Sequence, residues 1–493
     1  TSSVNTTYQV PSQNLNFEYR PIALVPRSFK IEPIIISNNS TTIQFGYGNN
    51  LHDFEQIAFN TTDNKKNTHS IIINNESFTG TKHHLQILRN VNAKYISSLY
   101  LNDKNAIQTN LYYTSSQRYR YGLVADSSMY PISNYEQKIN QMGIALGWLH
   151  DDLMWKNFHI NPTIKLDHLQ LNSNTTNTTI IFNNPMYYNL KNDMVLHFNN
   201  FVNWSQYQPN GSNQQVNKII RLDPGLSLNI KGFLTHIGAS QVWGINNQYN
   251  FYPAMGFTKQ LRDTHYTITT GWSTKIAINT LSSIYAMNPW IIPYSISNTM
   301  TDEHKFIHMS IVTNKRLHYG FEIATNDYRN LPFFNRVIQK DVAQTGLKYQ
   351  VLYEPRAITL DFKANLNYQF SDKILLKNDF SYTQFNLIKE NGKPWGILPL
   401  EIKSALHWTP NDKWNVQASG QYWSGAYEYR DPANPFTNKN VLILNAAFTY
   451  KLSSNWSIWA KGDNLLDKTY ERWADYPSLG VQLMGGIIYS FRK

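Results

Sequence analysis

Apolar and polar residues alternate along this chain with a period of two. Between Ile358 and Phe370, the positions Ile358, Leu360, Phe362, Ala364, Leu366, Tyr368 and Phe370 are apolar or aromatic. The interleaved Thr359, Asp361, Lys363, Asn365, Asn367 and Gln369 are all polar. Successive side chains of a strand point to opposite faces, so this stretch predicts a strand with one dry and one wet face. Ser371-Asp372-Lys373 predicts a tight turn. A second strand follows, with Ile374, Leu376, Phe380 and Tyr382 against Lys377, Asp379 and Ser381.

The same hairpin grammar recurs. Trp414 to Tyr422 alternates after Pro410-Asn411-Asp412, and Leu442 to Tyr450 alternates before Ser453-Ser454-Asn455. Met142 to Trp148 alternates before His150-Asp151-Asp152, and Ile43, Phe45 and Tyr47 open the pattern near the N-terminus. Asp, Asn and Ser favour such turns because their side chains bond the local backbone. Longer polar, Tyr-rich stretches at 115–137, 205–216, 326–342, 384–399, 424–440 and 463–480 predict loops. No helix of three turns is predicted.

Strands of ~10 residues, short turns alternating with long loops, and aromatic residues at strand ends fit a transmembrane barrel. They fit it better than a soluble sandwich, whose strands average ~5–6 residues. Trp408, Trp414, Tyr450 and Trp456 sit where an interfacial ring would be placed. The fold class expected is all-β: an antiparallel transmembrane β-barrel of about 22 strands, with short periplasmic turns and long extracellular loops. The expected division is a tail or strap over 1–33 and a barrel over 34–493.

Composition narrows the class. Of 493 residues, 14% are aromatic and only 16% charged, below the ~25% of ordinary soluble chains. No apolar run approaches the ~18 residues of a membrane helix, which excludes a helical membrane protein. There is no cysteine, hence no disulfide framework, thiolate metal site or cysteine nucleophile. Residue 1 is Thr, which suggests removal of a leader. The net charge is +11, but the basic residues are scattered, so nucleic acid is not an expected partner. Contact of a basic rim with phosphate-bearing lipid and lipopolysaccharide is the preferred reading. Arg118, Arg120, Tyr427, Tyr429 and Arg430 are the candidate outer-rim residues. Asp361, Lys363, Asn365, Asn367, Gln369, Lys377 and Asp379 are the candidate lumen lining.

Little enzyme chemistry is legible. His83-His84 would point to opposite faces of a strand and make a poor metal site. Asp151-Asp152 offers too few oxygens for calcium and reads as a turn. No Gly-x-Ser-x-Gly, phosphate loop or His-Glu-x-x-His is present. No cofactor and no enzymatic activity are expected, although a hydrolase at the barrel rim is a minor alternative.

The C-terminus carries the most specific signal. Asn464, Leu465, Asp467, Lys468 and Tyr470 are followed by Tyr476, Pro477 and Gly480. A final alternating strand then runs to Phe491, with Arg492 and Lys493 after it. This resembles the closing signature of the TonB-dependent receptors of Gram-negative outer membranes. Asn16 to Pro21, the turn at Gly46 to Asn49, Asn288-Pro289 and Leu331 to Phe334 resemble an uncharacterised, plugless branch of that superfamily. The resemblance implies an outer-membrane receptor or transport barrel. Family members carry a plug of well over a hundred residues, whereas residues 1–33 are too few for one, and Thr6 to Pro11 shows no energy-coupling box. A barrel without its own plug, its solute unspecified, is therefore expected. The alternative is an accessory or scaffold barrel in an outer-membrane assembly or secretion complex. Expected partners are plug-like, lipoprotein or other envelope proteins.

Overall fold

The computed structural model describes residues 40–492, apart from 64–66, 81–82, 103–104, 125–129, 151–156, 173, 192–193, 212, 246–247, 262–265, 293–294, 314–315, 338–340 and 430–435. The tail over 1–33, the candidate coupling segment, Asp151-Asp152 and Arg430 lie outside the described residues.

One antiparallel sheet dominates. Each barrel strand pairs with the next in the chain, and the first strand, Ser40–Gly48, pairs with the last, Gln482–Arg492, so the sheet closes. The sheet contains 23 stretches of strand. Phe158–Ile160 and Thr163–Leu171 both pair with Thr176–Asn189 and are two parts of one strand, giving a 22-stranded barrel. The break falls at Asn161-Pro162, where proline cannot donate to a ladder.

Alternation assigns the two faces. Phe45, Ile57, Ile71, Met142, Ile307 and Leu483 point outward and are exposed. An exposed apolar band of this extent is the lipid-facing surface of a membrane barrel. The inner face carries Gln44, Glu76, Asp167, Glu322 and Lys461. The alternation predicted over Ile358–Phe370 appears as Ala357–Ser371, and its partner as Ile374–Ile388.

Several predicted loops are shorter than the sequence suggests. Strand Asn105–Tyr119 runs into 115–137, Val195–Gln208 into 205–216 and Ile374–Ile388 into 384–399. The upper ends of these strands contain polar positions such as Gln384 and Asn386, both exposed. Alternation needs an apolar outer face only at the depth of the lipid, so strands that rise above it read as loop. The stretch 326–342 begins in strand Leu317–Arg329 and continues into a separate hairpin, Leu331–Arg336 with Tyr349–Glu354.

The two ends of the barrel differ. Turns at the end bearing the C-terminus are short, such as 231–232, 372–373 and 452–455. The opposite end carries 120–135, 278–298, 330–356, 389–399, 424–440 and 464–481. These long segments pack together around one hydrophobic core.

Candidate functional site

The long loops build a lid. Its regular elements are the two-turn helix Leu281–Met287, the hairpin Leu331–Arg336/Tyr349–Glu354 and the short hairpin Tyr427–Glu428/Phe436–Thr437. Thr280 caps the helix, accepting from the Ser283 N–H, while Ser283 accepts from the Thr280 N–H. Leu281, Ile284, Phe333, Phe334 and Tyr349 are almost fully buried, with side chains from four excursions meeting in one core. Inward residues near the strand tops, including Ile139, Leu169 and Tyr207, join that core, which fastens the lid to the wall.

Aromatic contacts tie distant loops together. Trp290 and Tyr476 stack with centroids 4.0 Å apart and planes at 5°. The edge of Tyr121 meets both rings. The Tyr476 hydroxyl donates to the Leu347 carbonyl, and Tyr121 donates to the Pro477 carbonyl at 2.9 Å. Burial raises the Tyr476 and Tyr349 hydroxyls above the usual tyrosine range.

Two carboxylates are buried in the lid with opposite consequences. Glu354 is fully buried and accepts from the backbone N–H groups of Arg356, Lys389, Glu390 and Asn391, and from the Asn391 amide. Burial pushes its carboxyl up, but these donors outweigh burial and hold it below the ordinary range. Glu428 is also fully buried, near the Tyr349 hydroxyl and the Asn438 amide. Burial pushes Glu428 up to about 8, against the opposing pull of Arg472 and Arg336. Arg336 pairs with Asp475 at 3.0 Å, and Arg472 donates to the Gly396 carbonyl while covering the Trp473 ring.

The inner wall below the lid is polar and internally paired. His52 bonds Glu76 at 2.9 Å, and Lys461 lies between Glu76 and Asp463 at 3.5 and 3.8 Å. Lys363 approaches Glu322 at 3.8 Å, and Asn326 joins His304 to Asp361 by bonds of 2.6 and 2.7 Å. Asp361, Lys363, Asn365, Asn367 and Gln369 share one face with Lys377 and Asp379 across the ladder, opposite the face of Phe362 and Tyr382.

The remaining candidate residues fall in or beside the lid. Arg118 donates to Ser116 on the inner face, and Gly346 of the lid packs against Arg120. Tyr427 lies under Lys393, and Tyr429 meets Trp395 edge-on. His83 and His84 are in a loop rather than a strand, and their rings stack at 5.3 Å. The opposite-face argument therefore does not apply to them.

The C-terminal signature has a physical role. Asn464 adopts a left-handed backbone and donates to the Lys468 and Leu479 carbonyls. Asp467 accepts from the Val481 N–H at 2.8 Å, and Tyr470 packs edge-on against Trp423. These contacts fold 464–481 back toward the last strand, and Tyr476 and Pro477 are thereby delivered to the lid. Phe491 stands on the lipid face, paired with Thr41 of the first strand.

Comparison with solved structures agrees with this architecture. A mutant of the ferric enterobactin receptor PfeA of Pseudomonas aeruginosa superposes with a TM-score of 0.66, over 92% of this chain and 81% of that one, at 13% identity. The barrel has the fold of the siderophore receptors. The siderophore receptor PirA of Acinetobacter baumannii gives 0.65 at 12% identity, covering 92% of this chain and 81% of that one. The FrpB iron transporter of Neisseria meningitidis gives 0.69 at 10% identity, covering 93% and 82%. No family profile and no curated protein sequence matches the chain. At these identities the likeness concerns the fold, and it extends to neighbours named as receptors and transporters rather than enzymes.

Proposed function

We propose that this chain is the barrel of a receptor or transport-type protein of the Gram-negative outer membrane, with an outer mouth closed by its own folded loops. The observation that carries this reading is the lid: a hydrophobic core of loop side chains standing over one end of a closed, polar-walled barrel. A 22-strand barrel has a lumen wide enough to conduct unless it is obstructed. In this reading the shared core holds the loops packed over the mouth, and its release is the opening step.

The inner faces of Ala357–Ser371 and Ile374–Ile388, with Asp361, Lys363, Lys377 and Asp379, form part of the wetted path in this reading. The described residues from 40 onward are barrel strands and loops, and in this reading the packed loops, rather than a plug among those residues, obstruct the lumen. The neighbours' iron and siderophore cargo suggests the first solutes to try.

The test is conductance in planar bilayers. Replacing 424–440 by a short Gly-Ser turn removes Glu428 and one wall of the lid. Conductance is expected to rise severalfold over the intact chain, with the barrel confirmed by heat-modifiable migration. Unchanged, low conductance in a folded deletion variant would overturn the lid as gate. Stoichiometric co-purification of envelope proteins from native membranes in mild detergent would instead favour the accessory-subunit role.

A further inference from the structure

Three adjacent strands of the inner wall converge on one hydroxyl. His197, on Val195–Gln208, places Nε2 2.8 Å from Ser227 Oγ. His236, on Phe233–Ile245, places Nδ1 3.0 Å from the same atom. The two imidazole centroids are 5.3 Å apart, with planes at 73°. Gly225 leaves the room this needs, because a Cβ there would lie 2.6 Å from Cε1 of His236. Tyr187 stands opposite His197 in the ladder, and its ring stacks on His159 at 4.3 Å. The cluster lies near the short-turn end, away from the lid.

Ser227 has a single hydroxyl proton. At most one imidazole therefore accepts from it, and at least one donates to Oγ. Two ring nitrogens on separate strands are thus aimed at one point. Imidazole is a preferred ligand of zinc, copper and nickel, whereas magnesium and calcium favour oxygen.

We propose that His197 and His236 form a two-imidazole station for a divalent transition-metal ion on the barrel wall, with Ser227 holding the rings in register when no ion is bound. With the Ser227 side chain turned to another rotamer and the ion at the position its Oγ now holds, the nitrogens, at 2.8 and 3.0 Å from that point, would move inward by under ~1 Å to reach the ~2.0–2.1 Å of a Zn–N bond. Among the described residues, no group of three or more His, Asp or Glu is arranged to hold a metal. Two coordination positions would therefore remain for water or for a ligand carried with the ion. Open positions suit exchange, whereas structural zinc sites are closed by four protein ligands. The proposal relies on the transport reading only for the purpose of the ion, since binding is measured separately.

The experiment is calorimetric titration of the untagged full chain in detergent with Zn²⁺, repeated for H197Q, H236Q, S227A and H83A/H84A. One saturable equivalent is expected, weakened at least tenfold by either H197Q or H236Q. S227A and H83A/H84A should retain it. Heat-modifiable migration confirms that each variant is folded, and glutamine preserves most of the side-chain volume. No saturable binding by the intact chain, or equal affinity in a folded H197Q/H236Q double variant, would overturn the proposal and leave the cluster as a hydrogen-bonded clamp. A barrel that binds Zn²⁺ but shows no lid-dependent conductance would separate this site from the transport reading.

Discussion

The indole of Trp459 donates its Nε1–H to the carbonyl of Phe45 at 3.2 Å, reaching across the last strand to the first. It can do so because Gly46 and Gly486, paired in the ladder, leave the inner surface bare beneath the ring. A Cβ at Gly46 would lie 2.3 Å from the Trp459 ring, and one at Gly486 would lie 1.8 Å from the Phe45 oxygen. Phe54 closes the other side edge-on at 6.0 Å. The joint that converts a sheet into a barrel is thus covered by one nearly buried side chain.

Trp459→Phe should cost about 1 kcal/mol through the lost hydrogen bond. Trp459→Ala should cost about 3 kcal/mol through the cavity as well. Gly46→Val should displace the ring and fall nearer the alanine variant. Urea unfolding in lipid vesicles, followed by tryptophan fluorescence and gel mobility, measures all three. Equal stability of Trp459→Ala and the unaltered chain would remove the seam from the account.

The face assignment predicts an asymmetry between neighbours. Ile307 is exposed on the lipid face near the middle of Thr299–Thr313, and His308 points the other way. Ile307→Arg puts a charge on the lipid face and should destabilise the folded barrel by about 1–2 kcal/mol, between the midplane and interface costs of an arginine, since the exposed Lys305 stands two residues away on the same face. His308→Arg should change stability far less, because its charge enters the wet interior. The same vesicle unfolding assay reads the difference.

Glu428 makes the lid sensitive to pH in a definite direction. Its carboxyl is raised from an ordinary 4.5 to about 8 when buried. The stability it contributes is full below the ordinary value and is lost as pH rises through about 8. Exchange of amide hydrogens over 424–429 and 436–440 should accelerate between pH 5 and pH 8 beyond the intrinsic chemical effect. Glu428→Gln should abolish that excess and keep the lid closed at pH 8.

Glu354 works in the opposite sense. Its carboxyl is held below the ordinary range, so its contribution is present above that range and is lost as pH falls through the lowered value. Glu354→Ala would leave several backbone N–H groups of 389–391 without their acceptor. We expect a local loss of about 2–3 kcal/mol. It should appear as faster exchange at 389–391, with the 22 barrel strands unaffected.

How far the fold was legible depended on depth in the membrane. Leu442, Leu444 and Phe448 alternate with inward positions, and they do lie on the exposed outer face. Where strands rise above the lipid the contrast fades, as at Gln384 and Asn386, and strand reads as loop. The closing signature was legible as a spacing. Its work of carrying Tyr476 onto Trp290 was not, because those residues are far apart in the chain. The His197–Ser227–His236 convergence gave no sequence signal, since three strands contribute one residue each.

By itself, the sequence determined the all-β class, the period, the lipid-facing residues and the approximate strand number. These follow from local alternation, which assigns each side chain to a face within its own strand. Only the tertiary structure decided that the long loops share a core, that Glu354 and Glu428 are buried with opposite charge preferences, and that two histidines meet at one serine. Such properties arise from packing between segments distant in the chain and from the resulting loss of water, and a local pattern encodes neither.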